Sequence, residues 1–424
     1  MVRWHMAEVD ILIKNANEVI VLKDNGRPRK GKEMRELDII KGGYVAIKDG
    51  RIFDVGKSCK MKGDIEIDAR NKIVLPGFVD CHTHLAFSGY RDFELEMKLR
   101  GLSYQEIAAA GGGINYTVKL TRAASKDELK RSSMERLKRM LEYGTTTCEA
   151  KSGYGLNLKD EIKLLEVYRE LNAEHPIDII PTFLGAHSIP EEFKENAEGY
   201  VERIVGEMIP EVSDRGLARF CDVFCERGYF NLEQSRKILL TGKEYGLTPK
   251  IHADEFSDCG GASLAAEIGA ISADHLLRIS GKGIHDLKNS KTIAVLLPAT
   301  VFSMMKKDFA PARKLIDNNI PVALATDMNP NCYTENMQFV IQLACYYMNM
   351  LPEEAIAGAT INAAYAVGEA HRVGSLDKGK SADVIIMNCP SYRFIPYHFG
   401  VNLVDTTIKD GRIVYSSSIS SDNT

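Results

Sequence analysis

Eight short apolar runs recur between residues 77 and 325, and helix-patterned or longer segments separate them. They cover 77–81, 145–148, 178–184 and 219–224 in the first half, and 248–251, 270–273, 292–297 and 320–325 in the second. Near-continuous apolar strands are what a parallel sheet covered on both faces requires. The helical patterns at 126–143, 158–171, 231–245 and 261–268 supply crossovers between them. Two α/β architectures satisfy this rhythm, a doubly wound open sheet and a closed (β/α)8 TIM-type barrel. The barrel is preferred because polar candidates fall at the C-terminal ends of strands one, two, three, five, six and eight. Closure brings all those ends around one mouth.

The chain ends follow a different grammar. Short strands read at 9–13, 43–47, 52–55, 65–67 and 73–75, with Lys48-Asp49-Gly50-Arg51 as a hairpin turn. The pattern returns only at 382–387, 403–408 and 413–415, with the turn Lys409-Asp410-Gly411-Arg412. Neither piece has enough strands for a core of its own. The expectation is one small β-sandwich-like domain built from residues 1–75 and 373–424, attached to a barrel at 76–372. The polar tail at 416–424 is expected to fray.

Charge and cysteine usage narrow the partners. The formal charge is -4, acids and bases are nearly balanced, and no long basic block occurs, which argues against nucleic acid. No apolar stretch reaches the ~18 residues of a membrane span. Residues 1–10 lack the apolar run of a secretory signal. Nine cysteines are scattered singly, which suits a reducing compartment, so a cytoplasmic location is expected. Cys221 and Cys225 lie in an apolar run and read as buried strand cysteines rather than a thiolate metal site.

The chemistry concentrates at the strand ends. His82 and His84 follow the first strand, His252 ends the fifth, and Asp327 ends the eighth. Side chains two apart on extended backbone share a face, so the histidine pair can grip one ion together. Three imidazoles and a carboxylate suit a borderline divalent cation such as zinc, and also iron. A bound ion of this kind lowers the pKa of water and makes hydroxide available near neutral pH. The fourth strand offers no lysine beside Cys225-Glu226 to bridge two ions, and Lys151 follows the second strand instead, so one metal is expected. His275, at the end of the sixth strand, reads as a fifth ligand, a substrate contact or a proton carrier. Asp327 is expected to accept from the nucleophilic water, and Glu255 to protonate a leaving ring nitrogen or to stand as a solvated carboxylate.

Further candidates suggest a small polar substrate. Arg91 offers a bidentate carboxylate contact, or an ordinary ion pair. Tyr104 and Tyr154 offer hydroxyls, His187 ends the third strand, and Asn329 supplies a donor and an acceptor or caps a loop. Gly111-Gly112-Gly113 lacks the lysine and spacing of a phosphate loop and reads as a lid or a set of tight turns.

At these residues the chain resembles the imidazolonepropionases of the amidohydrolase superfamily. The resemblance covers nearly the whole length. Its marks are Pro76-Gly77-Phe78-Val79-Asp80-Cys81-His82-Thr83-His84, Ala110-Gly111-Gly112-Gly113-Ile114, Lys151-Ser152-Gly153-Tyr154-Gly155-Leu156, Gly185-Ala186-His187-Ser188, Ile251-His252-Ala253-Asp254-Glu255, Ser272-Ala273-Asp274-His275-Leu276 and Asp327-Met328-Asn329-Pro330-Asn331. It implies hydrolysis of 4-imidazolone-5-propanoate to N-formimidoyl-L-glutamate in histidine degradation, with one zinc or iron ion held by His82, His84, His252 and Asp327. It further implies that Arg91, Tyr154, His187 and Glu255 bind substrate, that Asn329 and Asn331 meet the product side, and that the chain forms a homodimer. Asn331 stands where many bacterial members have glycine, and Cys81 and Met328 also depart from the usual pattern without removing a ligand. Two other readings remain: another amidohydrolase reaction on a cyclic amide or ring amidine, and a non-enzymatic metal-binding scaffold.

Overall fold

The computed structural model describes residues 8–417, with the side chains of residues 104 and 105 left aside. The expectation for the tail therefore lies, beyond Ser417, outside the described residues.

The N-terminal strands are β1 (Glu8–Ile20), β2 (Ile39–Lys48), β3 (Arg51–Gly56), β4 (Lys62–Asp68) and β5 (Ile73–Pro76). Strand β1 is longer than the 9–13 run suggested, because a register shift between Ile13 and Ala16, with Asn15 at φ 63°, lets it bend and continue. The first part of β1 pairs in parallel with β4, and the second part with β5.

The next eight strands form a second sheet. They are β6 (Phe78–Asp80), β7 (Thr145–Lys151), β8 (Asp178–Ala186), β9 (Phe220–Cys225), β10 (Thr248–Ala253), β11 (Ser272–His275), β12 (Ile293–Leu296) and β13 (Val322–Leu324). They lie side by side in sequence order, and every pairing is parallel. No ladder joins β6 to β13, but the chain closes the seam just beyond them. Thr83 bridges Met328, His84 N donates to Met328 O at 2.8 Å, and Asp327 N donates to His82 O at 3.1 Å. Asp80, buried on β6, accepts from Thr326 N and Oγ1 at 3.1 and 2.6 Å. The result is a nearly closed barrel. The seam lies between the two strands whose ends carry His82, His84 and Asp327.

Helices between the strands form where the sequence pattern expects them. Lys126–Glu142 begins with a reciprocal cap, in which Ser125 Oγ accepts from Glu128 N and Glu128 Oε2 accepts from Ser125 N. It buries Leu129, Leu137, Met140 and Leu141, then stops before Gly144 at φ 91°. On β9, Cys221 faces outward, where a Cβ on Gly242 of the helix Leu232–Glu244 would lie 2.8 Å from its own Cβ. This cysteine packs a helix against the barrel; it does not face the metal candidates.

The chain returns through β14 (Val384–Met387), β15 (Val404–Lys409) and β16 (Arg412–Ser416). β14 pairs antiparallel with β5, so strands from the two ends complete one eight-stranded mixed sheet. The curved sheet packs Ile13, Val19, Val45, Ile47, Val384 and Ile386 against one another, which gives it a sandwich-like core. Both Asp-Gly turns have left-handed central residues, Asp49 (51°) with Gly50 (72°) and Asp410 (46°) with Gly411 (73°). The two turns sit tip to tip. Ala382 N donates to Gly50 O, and Gly411 N donates to Ala382 O.

Candidate metal centre and substrate cleft

His82 and His84 lie just past β6, where the Thr83 bridge keeps the backbone extended and sets both rings on one side. Across the barrel, His252 sits on β10 at an inward-facing position. Ligand atoms of these three buried histidines all lie within 4.8 Å of one another. Asp327 joins them, with Oδ1 3.5 Å from His82 Nε2 and 3.6 Å from His84 Nε2. Its other oxygen accepts from Thr300 Oγ1, on the helix Pro298–Ser303 that follows β12.

His82 Nε2 and His252 Nε2 are buried without a hydrogen-bond partner. Two buried imidazole nitrogens left unsatisfied form a costly arrangement unless a cation completes it. The donor set therefore fits one divalent ion. Burial, with the Lys151 ammonium adding to it, holds His82 well below the ordinary histidine range, as a neutral ligand requires. Burial pushes the carboxyl of Asp327 up to about 6 against the Thr300 hydrogen bond.

His275 ends β11 at φ 77°, and Asp327 follows β13 at φ 52°. Left-handed backbone at a residue other than glycine costs about 1–2 kcal/mol. Here it aims both side chains over the mouth rather than along the barrel wall. His275 Nδ1 lies 3.8 Å from Glu255 Oε1. Glu255 is held in a short loop whose next amides, Phe256 N and Ser257 N, donate to Glu226 Oε2 at 2.8 and 3.1 Å. Burial, followed by the Asp327 carboxylate, raises the Glu255 carboxyl well above its ordinary value, while burial keeps His275 well below its own.

Arg91 reaches the cleft from the long segment after β6, which folds into the helices Phe93–Leu99, Tyr104–Ala109 and Gly113–Ala123. The buried Glu94 carboxylate fixes it, accepting Nε at 2.7 Å and Nη2 at 2.9 Å. Gly113 N donates to the same carboxylate at 2.7 Å, and a Cβ on Gly112 would lie 2.7 Å from Glu94 Oε1. The glycine run is thus a close-approach turn that seats Glu94 behind Arg91.

Tyr154 and His187 form the wall on the other side. The His187 ring stacks on His84 at 4.8 Å, and its Nδ1 lies 2.9 Å from Gly153 O. Burial, with His252 nearby, pushes His187 down to about 3. The cleft includes Asn329 and Asn331 in its lining. Their side chains also hold the loop: Asn329 Nδ2 donates to Asp327 O at 2.7 Å and its Oδ1 accepts from Asn331 N and Cys332 N. Asn331 Oδ1 accepts from Lys98 Nζ at 2.6 Å. Tyr104 begins the helix Tyr104–Ala109, and its side chain lies outside the described residues.

Asp222 and Asp274, which sequence reasoning passed over, lie one layer below the histidines. His82 Nδ1 is 2.6 Å from Asp274 Oδ2, and His252 Nδ1 is 3.0 Å from Asp222 Oδ2. Lys151 lies within β7 rather than after it, and its Nζ reaches Glu149 and Asp222 at 2.7 Å each. The signal was available: Glu149 with Lys151, Lys250 with His252, and Ser272 with Asp274 are polar pairs two apart inside apolar strands, which places them on the barrel interior.

The chain has close relatives of known name. It is 48% identical over 413 residues to the imidazolonepropionase of Alkaliphilus metalliredigens, covering 96% of this chain and 98% of that one. It is 50% identical over 415 residues to that of Geobacillus kaustophilus, covering 95% and 97%. The sequence profile of the amidohydrolase family matches residues 248–414. Among solved structures, 5-methylcytosine deaminase from Klebsiella pneumoniae aligns with a TM-score of 0.74 at 16% identity, covering 96% of this chain and 98% of that one. A zinc-bound adenosine deaminase from Xanthomonas campestris aligns at 0.70 and 16%, covering 96% and 93%. At that identity the structural likeness speaks for the fold alone. The full-length sequence relationship goes further, and by it the chain belongs to the imidazolonepropionase family, metal-dependent hydrolases of the amidohydrolase superfamily.

Proposed function

We propose that this protein hydrolyses 4-imidazolone-5-propanoate to N-formimidoyl-L-glutamate, using one zinc or iron ion held by His82, His84, His252 and Asp327. The observation that carries the reading is the convergence of three buried imidazoles within 4.8 Å, with Asp327 3.5 and 3.6 Å from two of them, in a cleft also reached by Arg91. When bound, such an ion lowers the pKa of water and supplies a hydroxide nucleophile.

The chain's own groups account for the rest. Arg91, braced by Glu94, binds the propionate and thereby sets the ring against the histidines. Tyr154 and His187 bound the ring's other side, while Asn329 and Asn331 meet the product. Water adds to the ring carbonyl carbon, the C–N bond breaks, and the ring nitrogen needs a proton. Glu255, raised by burial, holds one, and the neighbouring depressed His275 does not compete for it. His275 is left as the acceptor for the proton that the attacking water gives up as it adds, with Asp327 beside it. A homodimer is part of the same proposal by family likeness.

The test is a direct assay with freshly prepared imidazolone propionate. Metal-loaded protein is expected to form N-formimidoyl-glutamate, and chelation to abolish the reaction. Turnover of a different cyclic amide or amidine, with none of this substrate, would overturn the assignment.

A further inference from the structure

The metal candidates stand on a charged layer that the reaction as described does not use. Side chains at one level of a (β/α)8 barrel come from alternate strands. Here Lys151 on β7, Asp222 on β9 and Asp274 on β11 share such a level, and all three are fully buried. Lys151 Nζ lies 2.7 Å from Asp222 Oδ2, 2.7 Å from Glu149 Oε1 and 3.8 Å from Asp274 Oδ2. The two aspartates are also the groups that face the inner nitrogens of the histidines. Asp274 Oδ2 is 2.6 Å from His82 Nδ1, and Asp222 Oδ2 is 3.0 Å from His252 Nδ1. One ammonium therefore binds Asp222 directly and lies within ion-pair range of Asp274, in each case on the oxygen that the imidazole addresses.

We propose that Lys151 is a positioning residue of the metal centre, fixing Asp222 and Asp274 so that His252 and His82 present their outer nitrogens together. A carboxylate behind a ligating histidine sets the ring's tautomer, orientation and basicity. Those carboxylates cannot sit ionised in a dry barrel without a counter-charge, and Lys151 supplies it. Burial opposes the ammonium, but Asp222, Glu149 and Asp274 outweigh that and raise its pKa. The remaining space is closed by other partners. Ser272 Oγ donates to Asp274 Oδ1 at 2.6 Å, and the second buried lysine, Lys250, points to Cys81 O and Ala366 O, 3.9 Å from Glu149. Lys250 does not touch either aspartate, so the task falls to Lys151.

This inference rests on His82, His84 and His252 being metal ligands. It is tested with the full chain stripped of metal and titrated with zinc against a competing chelator. Wild-type protein that takes up no zinc would sink the metal reading itself. Given wild-type uptake, Lys151→Met is expected to weaken zinc binding about 10- to 100-fold. Asp222→Asn is expected to do the same, and the double variant to lose no more than the worse single one, because both act through one path. Lys151→Met protein that melts earlier yet binds zinc as tightly as wild type would overturn the proposal, as would strict additivity. If Lys151→Met does not accumulate folded, Glu149→Gln is read in its place, since it neutralises a carboxylate that holds the ammonium and leaves both aspartates intact. Its zinc affinity is expected to fall several-fold, and an unchanged value would overturn the assignment.

Discussion

Glu255 Oε1 stands 3.8 Å from His275 Nδ1, and both side chains are nearly inaccessible to water. Burial acts on the two in opposite senses, raising the carboxyl and lowering the imidazole, which favours a proton on Glu255 over one on His275. A carboxyl kept protonated is active below its raised pKa and loses its proton as pH climbs through it. Activity that depends on this proton should fall on the alkaline side. Glu255→Gln is expected to lower kcat by about 10²- to 10⁴-fold and to remove that alkaline limb from the pH profile of kcat/KM. An unchanged limb in the variant would assign it to another group.

His252 joins two layers, meeting the His82 and His84 imidazoles above and Asp222 below. His252→Ala deletes one of three clustered nitrogens and leaves Asp222 without its imidazole neighbour. Metal affinity is expected to drop by at least about 100-fold, more than removal of a supporting carboxylate costs. Elemental analysis of purified protein checks this, and full occupancy in the variant would exclude His252 as a ligand.

Arg91 and Glu94 make a further case. The bidentate pair holds the guanidinium in a fixed plane, and the Gly113 amide steadies the carboxylate. Loss of a hydrogen bond to a charged group costs about 1.5–3 kcal/mol. Arg91→Ala should therefore raise KM by about 10- to 100-fold, with a smaller effect on kcat. Arg91→Lys should recover little, because an ammonium cannot reproduce the planar fork. Steady-state kinetics giving wild-type KM for either variant would remove Arg91 from the substrate contact.

The strand ends were legible because they combine two signals, an apolar run and a reactive residue at its close. His82, His84, His252, His275 and Asp327 all carry that mark, and the structure brings all five to one mouth. Asp222 was hidden, since a lone charge inside an apolar run looks like noise until the barrel gives it an interior to face, whereas Asp274 carried a signal in its spacing from Ser272. The bracing of Arg91 was equally hidden, because Glu94 and Gly113 meet only after three short helices fold back on one another. Among the chain ends, repeated Asp-Gly turns announced matching hairpins. The length of β1 was not readable, because its bulge at Asn15 interrupts the alternation that marks a strand.

The approach of those hairpins gives a last test, one of stability. Gly411 has φ 73°, and a Cβ there would lie 2.8 Å from the Cα of Gly50, at the tip of the other turn. Backbone cannot step aside as a flexible side chain can, so Gly411→Ala must part the two ends of the chain as well as bear a left-handed alanine. Gly42 is the control. Its φ is 65°, but nothing lies within 4 Å of a Cβ built there. Gly42→Ala should cost only the left-handed penalty, about 1–2 kcal/mol, while Gly411→Ala should add a further ~1–3 kcal/mol of forced displacement. Denaturant midpoints of the two variants measure the difference, and kcat at low temperature should be the same for both, because neither turn touches the cleft. Equal destabilisation would mean that the two chain ends are not held against each other at these turns.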